Sequence, residues 1–239
     1  MESFYTFTSR TSPASGRSAP PYDQNNLATH VGDDLDCVVA NRAALAGALA
    51  LKKEQLFFMN QVHGSTIIEI DSTSDSDVIH ECDGLITKTP GVGLAVLVAD
   101  CAPVLFIGAT TVAAIHVGWR GLFDGIVEKA LALMAHEPFA LHIGATICGN
   151  CYEVADELAE RAHARGFVVG RSTLASDNHS ERSTLDIPQS ILGIVKKQSV
   201  VEVLNAEWNG ICTYENQDYY SFRRERITGR QAGVVVHGS

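Results

Sequence analysis

Three side chains in this sequence have the chemistry of metal ligands, and each stands inside its own short motif. They are His63 in Gln61-Val62-His63-Gly64, Cys101 in Ala99-Asp100-Cys101-Ala102-Pro103, and His116 in His116-Val117-Gly118-Trp119-Arg120-Gly121. Each lies at the edge of an apolar segment, where a strand hands over to a loop. Two imidazoles and one thiolate suit a tetrahedral zinc whose fourth position stays open. The same groups also suit a cysteine nucleophile served by histidine bases. Both readings describe an enzyme.

His63 and Cys101 are 101 − 63 = 38 residues apart, and Cys101 and His116 are 116 − 101 = 15 apart. No zinc-finger spacing applies, so the fold must assemble the site, as it does for catalytic zinc. Taken singly, each residue also fits a buried thiol or a satisfied core histidine. The contexts go further. Gly64 and Gly118 permit tight turns and the close approach of a ligand. Asp100 ends an apolar run, where an unpaired carboxylate is costly. It is expected to orient a histidine, bind a backbone amide or cap a turn. Arg120 adjoins the His116 motif and also suits packing beside Trp119. Cys148-Gly149-Asn150-Cys151 has redox or zinc half-site spacing but no second pair, and is read as structural or incidental. His80-Glu81-Cys82-Asp83 looks ligand-like but falls in a polar loop.

The elements that must hold these groups are short. Phe4 to Thr8 alternates as a strand does, and the Ser-, Pro-, Gly- and Asn-rich stretch 12–26 is a loop. Asp33, Asp34 and Asp36 precede a helix over 37–51, where acids cap free amides and favour the positive helix end. Val38, Leu45 and Leu49 form its apolar stripe, with Asn41 and Arg42 towards another face. Strands are expected at 55–61, 66–70, 93–98, 104–107, 112–116, 141–147, 200–204 and 233–236. Helices are expected over 121–135, 153–165 and, with Pro188 in its first turn, up to Lys197. Residues 172–184 read as a polar, mobile loop. Without a regular βαβ alternation, the class is α/β or α+β, one domain over 1–239, and not a doubly wound sheet.

Composition bounds the function. The net charge of −10 over 239 residues argues against nucleic acid as the main partner, while leaving room for a local basic pocket for phosphate. The uncharged run 101–119 approaches membrane-span length. Its Pro103, Gly108, His116 and Gly118 fit two buried strands and a turn better than a spanning helix, so no membrane is expected. No secretory leader is visible at the start. The six cysteines are too sparse for a disulfide scaffold, and they read as reduced thiols of a cytoplasmic protein. No phosphate-cradling glycine loop calls for a nucleotide cofactor.

The run from Gly91 to Leu105, GVGLAVLVADCAPVL, is similar to the signature of the YfiH/YlmD family, also called the laccase-domain, polyphenol-oxidase-like or peptidoglycan-editing-factor family. The similarity extends through Asn26-Leu27, His30-Val31-Gly32-Asp33-Asp34, Asn41-Arg42, the His63 motif, Asp83-Gly84-Leu85-Ile86-Thr87 and the His116 motif. It ends with Cys212-Thr213, Tyr220-Ser221-Phe222-Arg223-Arg224 and Gly229-Arg230, and so covers nearly the whole chain in order. The resemblance implies a four-layer α/β/β/α fold shared with a toxin cysteine hydrolase. It implies His63, Cys101 and His116 as the zinc or catalytic trio, and Arg42 as an active-site arginine suited to gripping phosphate. It implies purine nucleoside chemistry: phosphorolysis of adenosine, inosine, guanosine or methylthioadenosine, and adenosine deamination. The attacking group would be phosphate, held by a cation such as Arg42, or water. Asp100 and Arg120 are the further substrate-side candidates.

The sequence departs from the family at Thr11-Ser12-Pro13, at Gly144-Ala145-Thr146-Ile147 and at Asn150-Cys151, which bears on substrate range more than on the trio. The competing enzyme reading is a cysteine hydrolase editing peptidoglycan precursors, with Cys101 as nucleophile. A metal- or partner-binding protein with little turnover is the non-enzymatic alternative. A copper oxidase ranks last, because multicopper sites use His-x-His pairs and the nine histidines contain none.

Overall fold

The computed structural model describes residues 2–76, 81–172 and 181–238. In chain order the elements are β1 Phe4–Phe7, α1 Leu35–Ala48, β2 Leu56–Phe58, β3 Ile67–Ile70, β4 Gly84–Thr87, β5 Gly93–Val98, β6 Ala102–Gly108, β7 Val112–Val117, α2 Trp119–Phe123 and α3 Ile126–Met134. They continue with β8 Phe139–Ile143, α4 Asp156–Ala164, β9 Val168–Arg171, β10 Ser183–Asp186, α5 Ile187–Lys197, β11 Val203–Trp208, α6 Phe222–Glu225 and β12 Gln231–Val236.

Among the described residues, the strands form a four-stranded sheet ordered β1-β12-β5-β2, a six-stranded sheet ordered β11-β8-β6-β7-β4-β3, and the pair β10-β9. Both large sheets are mixed: β2 runs parallel to β5, β3 to β4 and β11 to β8, and the other neighbours are antiparallel. The central strands are apolar on both faces because both faces are covered. On β5, Leu94, Val96 and Val98 meet Leu85, Leu105 and Ala114 between the sheets. Ala95 and Leu97 of the same strand point the other way, onto Leu45 and Ala46 of α1. On β6 and β7, Val104, Phe106, Ala113 and Ile115 turn outward to the layer of α2, α3, α4 and α5. The layer order is α/β/β/α, as the resemblance implied.

Several boundaries differ from the sequence expectation, each for a local reason. The helix expected over 121–135 is two helices, broken at Asp124-Gly125, where Gly125 takes φ 76°. The strand expected over 141–147 ends at Ile143. A side chain at Gly144 would run into the Phe7 ring, and the chain then leaves the sheet to bridge Thr146 with Cys212. The strand expected over 200–204 is Val203–Trp208, a largely exposed edge. Strands β4, β9 and β10 were not expected, being short runs among polar residues. Asn41 is buried rather than on another face. Its side chain accepts from the Arg17 amide and donates to Ser18 and Asn26, so it pins the 12–26 loop against α1. His80 and residues 173–180 of the expected polar loop lie outside the described residues.

Candidate functional site

The site forms where three strand ends meet. β7 delivers His116, the turn between β5 and β6 delivers Cys101, and the turn before β3 delivers His63. The ligand atoms of His63, Cys101 and His116 all lie within 4.8 Å of one another. Cys101 Sγ is 4.0 Å from His63 Nε2, and the two imidazole rings pack edge to face at 4.8 Å. Gly118 leaves the space this needs: a Cβ there would lie 3.1 Å from Cys101 Sγ and 3.2 Å from His63 Cδ2. Gly121 plays the same part against the Gly64 carbonyl, 2.8 Å from where its Cβ would be.

Asp83, wholly buried just before β4, organises the trio, a role that its place in the polar His80-Glu81-Cys82-Asp83 stretch did not suggest. Its carboxylate accepts backbone N–H bonds from Val62, His63 and Gly64. That cradle of amides holds His63 at φ 60°, a left-handed conformation that is costly for a non-glycine residue unless its surroundings impose it. Oδ1 of Asp83 also lies 2.8 Å from His116 Nδ1, which commits that nitrogen and turns Nε2 toward the thiol. Burial opposes the charge on Asp83, but the His116 contact and the amide bonds prevail and hold its carboxyl below the usual range.

Cys101 and His116 then polarise one another. Burial opposes ionisation of the thiol, yet the charge of His116 and the hydrogen bonds from both histidines outweigh it and bring Cys101 down to about 6. Burial likewise opposes the imidazolium, and the Cys101 thiolate and Asp83 carboxylate raise His116 to about 9. Without metal the pair is therefore a thiolate beside an imidazolium at neutral pH. The donor set fits a zinc ion: two borderline nitrogens and one soft sulfur converge, and a carboxylate fixes one ligand's second nitrogen.

The trio lies in a cavity of about 410 Å³. Its wall includes Arg120, Arg223, Arg226, Arg230, His30, Gln61 and Tyr152. In a chain of net charge −10, four arginines around one cavity are a local reversal of sign. Arg230 is held by its Nη1 on the Thr228 and Gly229 carbonyls, and Arg223 uses both terminal nitrogens on the Glu153 carbonyl. Arg120 stacks over Trp119 at 4.5 Å. Burial first, then the charges of Arg230 and Arg42, push His30 below its ordinary value. Burial and the nearby Cys101 thiolate raise Tyr152 to about 12, so its phenol stays neutral.

The other sequence candidates fall out as follows. Arg120 lines the cavity. Asp100 also lines it, but both carboxylate oxygens are taken, one by the Thr213 hydroxyl and one by the Arg223 amide. It binds a backbone amide, while Asp83 is the acid that orients the histidine. Arg42 is not among the lining side chains. Its Nε donates to the Leu27 carbonyl, its guanidinium covers Phe58 at 3.9 Å, and burial lowers it to about 10. α1 packs on the outer face of the four-stranded sheet, and from there the Arg42 charge still acts on His30. Cys148 and Cys151 form a second cluster with Cys212 and Glu215. The arginines at 223–230, of which Arg223, Arg224 and Arg230 belong to the family resemblance, carry a charge signal of their own: four basic residues within eight positions of an acidic chain.

The sequence matches the model of the family described as Multi-copper polyphenol oxidoreductase laccase over residues 5–238. A purine nucleoside phosphorylase of Corynebacterium glutamicum is 37% identical over 238 residues, covering 96% of this chain and 92% of its own. One from Streptomyces griseus is 39% identical over 229 residues, covering 92% and 89%. Among solved structures, YlmD from Geobacillus stearothermophilus superimposes with a TM-score of 0.81 at 28% identity, covering 99% of this chain and 92% of that one. With the fold, the trio and these matches in agreement over nearly its full length, the chain belongs to the YfiH/YlmD family, the laccase-like polyphenol oxidoreductase family.

Proposed function

We propose that the chain, as one domain over 1–239, is a purine nucleoside phosphorylase acting on adenosine, inosine, guanosine or methylthioadenosine, with adenosine deamination at the same site. The observation that carries this reading is the four-arginine wall around the Cys101–His116 pair. Phosphorolysis needs an anion held beside the sugar, and a cationic wall in an otherwise acidic protein supplies that hold. The names of the Corynebacterium and Streptomyces relatives support the same chemistry. In the reaction, a phosphate oxygen bonds to the anomeric carbon, the glycosidic C–N bond breaks, and the purine takes a proton. Arg230, fixed by two carbonyls and lowered by burial against the Cys101 and Asp100 charges, would hold the phosphate, with Arg120 also on the cavity wall. The neutral Tyr152 hydroxyl would donate a hydrogen bond to the departing base, which takes its proton from water. His63, Cys101 and His116 would hold zinc in preference to copper, and that ion would supply a Lewis acid for an attacking oxygen.

The test is turnover of a nucleoside panel with and without inorganic phosphate. Arg230→Ala should raise KM for phosphate by about 30-fold, the equivalent of ~2 kcal/mol for a charge-assisted contact. Arg42→Ala should leave that KM within about twofold. Turnover absent at every phosphate concentration would sink the proposal.

A second reading has a specific observation in its favour. Asp83, His116 and Cys101 stand in the order carboxylate, imidazole, thiol, with the thiol already ionised, which is the arrangement of a cysteine hydrolase. A hydrolase editing peptidoglycan precursors would show no phosphate requirement and would be blocked by alkylation of Cys101 in the metal-free protein.

A further inference from the structure

Two loops far apart in sequence meet beside the cavity. The loop after β8 carries Cys148 and Cys151, and the loop after β11 carries Cys212 and Glu215. Three thiols and one carboxylate there have ligand atoms within 4.8 Å of one another. A tetrahedral zinc with Zn–S near 2.3 Å needs sulfurs about 3.8 Å apart, so a small closure completes the shell. The backbone is already arranged for it. The amides of Cys151 and Tyr152 both donate to the Cys148 carbonyl, a tight turn that brings the two thiols of the Cys-x-x-Cys segment together. Thr146 pairs with Cys212 and its neighbours as an isolated parallel bridge, which sets the third thiol against the first two. The Cys148 amide also donates to Cys212 Sγ at 3.3 Å, the kind of contact that supports a metal-bound thiolate.

The surroundings argue against an incidental cluster. Ile147, Cys151 and Cys212 are the whole buried core at this junction, with Cys148, Tyr152 and Tyr214 packed on it. So small an apolar patch holds two loops weakly. Glu215 is exposed, and its Oε1 meets Cys151 Sγ at 3.3 Å, so the one hard donor marks the side from which an ion enters. All six cysteines are free, and a Cys148–Cys151 disulfide would leave Cys212 and Glu215 without a role. Soft thiolates in a closed four-donor shell select zinc, and the compact spacing leaves room for one ion rather than an iron–sulfur cluster.

We propose that Cys148, Cys151, Cys212 and Glu215 bind a structural zinc ion, separate from the His63–Cys101–His116 site, that clamps the 146–152 loop to the 212–215 loop. Its benefit reaches the active site through short links. The Thr146 and Thr213 hydroxyls both bond to Asp100, next to Cys101, and Tyr152 follows Cys151 directly. The ion therefore fixes the turn that carries the catalytic thiol.

The experiment is metal analysis and cobalt(II) titration of the full chain in a Cys101→Ala/His116→Ala background, which removes two of the three ligands of the other site. Purified under reducing conditions, that variant should retain one zinc per chain. On replacement with cobalt it should show tetrahedral visible bands and a thiolate-to-cobalt charge-transfer band. Adding Cys148→Ser should abolish both. Adding Glu215→Gln, a surface change that leaves the thiols in place, should weaken zinc affinity by at least tenfold in competition with a chelating dye. The proposal fails if the double variant holds no zinc and shows no charge-transfer band, or if the band survives Cys148→Ser. It also fails if Glu215→Gln leaves affinity unchanged, or if mass spectrometry recovers the freshly purified chain with Cys148 and Cys151 joined as a disulfide.

Discussion

At Cys101, burial opposes the thiolate, but an imidazolium and two histidine hydrogen bonds reverse the balance, and the thiol falls to about 6. At Cys151, burial is reinforced by Cys148, Glu215 and Cys212, and the thiol is driven well above its ordinary value. Cys212 is raised for the same leading reason, despite an amide bond that favours its charge. Both clusters draw cysteine partly out of water. What separates them is the sign of the neighbouring charge. His116, itself anchored by Asp83, makes Cys101 a ready nucleophile or ligand without help. The second cluster has thiols and a carboxylate but no cation, so its sulfurs ionise only when a metal ion supplies the positive charge.

The largest test of this contrast is Cys101→Ala. It should lower kcat/KM for the nucleoside by on the order of 10³-fold, because it removes the thiolate partner of His116. Circular dichroism should be nearly unchanged, since Cys101 sits in the turn between β5 and β6, outside the strands. Global unfolding of this variant would move Cys101 to a structural role.

Next is Asp83→Asn. The Asp83 carboxylate serves His116 and three amides while fully buried, and loss of a buried charged partner typically costs about 3 kcal/mol. Denaturant unfolding should show that loss. The Cys101 thiol should also rise, because the imidazolium that lowers it has lost its anchor. A stable variant with an unchanged thiol would show that His116 is oriented by something else.

How much of this was visible beforehand follows from where each signal lies. The trio was legible because each member ends an apolar run, a place where packing alone does not call for His or Cys. The two-sided apolar strands were legible for the same reason. Asp83 was not. Its motif sits in a polar stretch, and its role exists only once β4 pairs with β7 and brings it under the His63 turn. Arg42 could be read only for its chemistry, because an arginine on a helix suits phosphate wherever the helix packs, and where α1 packs, on the far face of the four-stranded sheet, is not written in its local sequence. Arg223 reaches the cavity from α6, a helix of four residues that leaves almost no periodic trace, and Arg226 and Arg230 reach it from the end of that helix and the segment before β12. The second cysteine cluster was half legible as Cys-x-x-Cys. Its third sulfur arrives from 212 − 151 = 61 residues further on, which no local spacing reveals.

The contrast can be measured directly in metal-free protein by alkylation against pH, with modified cysteines identified by mass spectrometry. Cys101 should label with a midpoint near 6, while Cys151 and Cys212 should stay unreactive up to pH 9. The linkage has a definite sign. Cys101 has a depressed folded value, so its contribution to stability is full above the unfolded thiol value and is lost as pH falls through about 6. His116 has a raised folded value, so its contribution is full at low pH and is lost as pH rises through about 9. The two contributions change in opposite directions over the same range, and folded and unfolded chains each carry about one proton on the pair there, so the melting temperature of metal-free protein should vary little between these two values. A steep slope across that range would mean that only one of the two groups is shifted.

The smallest effect is expected where the two regions join. Thr213 is fully buried next to Cys212, and its hydroxyl donates to Asp100 Oδ1 at 2.7 Å, next to Cys101. Thr213→Val keeps the shape and deletes this one donor. Asp100 retains the Arg223 amide on its other oxygen, so the carboxylate is weakened in its support but not abandoned. A bond to a charged group is worth about 1.5 kcal/mol net, and the melting temperature should fall accordingly. Asp100 holds its turn at φ 93°, a conformation that relaxes when its ties are cut, so Cys101 should shift relative to His116. The expected result is a few-fold drop in kcat with zinc content unchanged at both clusters, because Thr213 ligates neither. If stability falls while kcat and the Cys101 labelling midpoint stay put, the two cysteine regions are mechanically independent, and the link through Asp100 serves the fold alone.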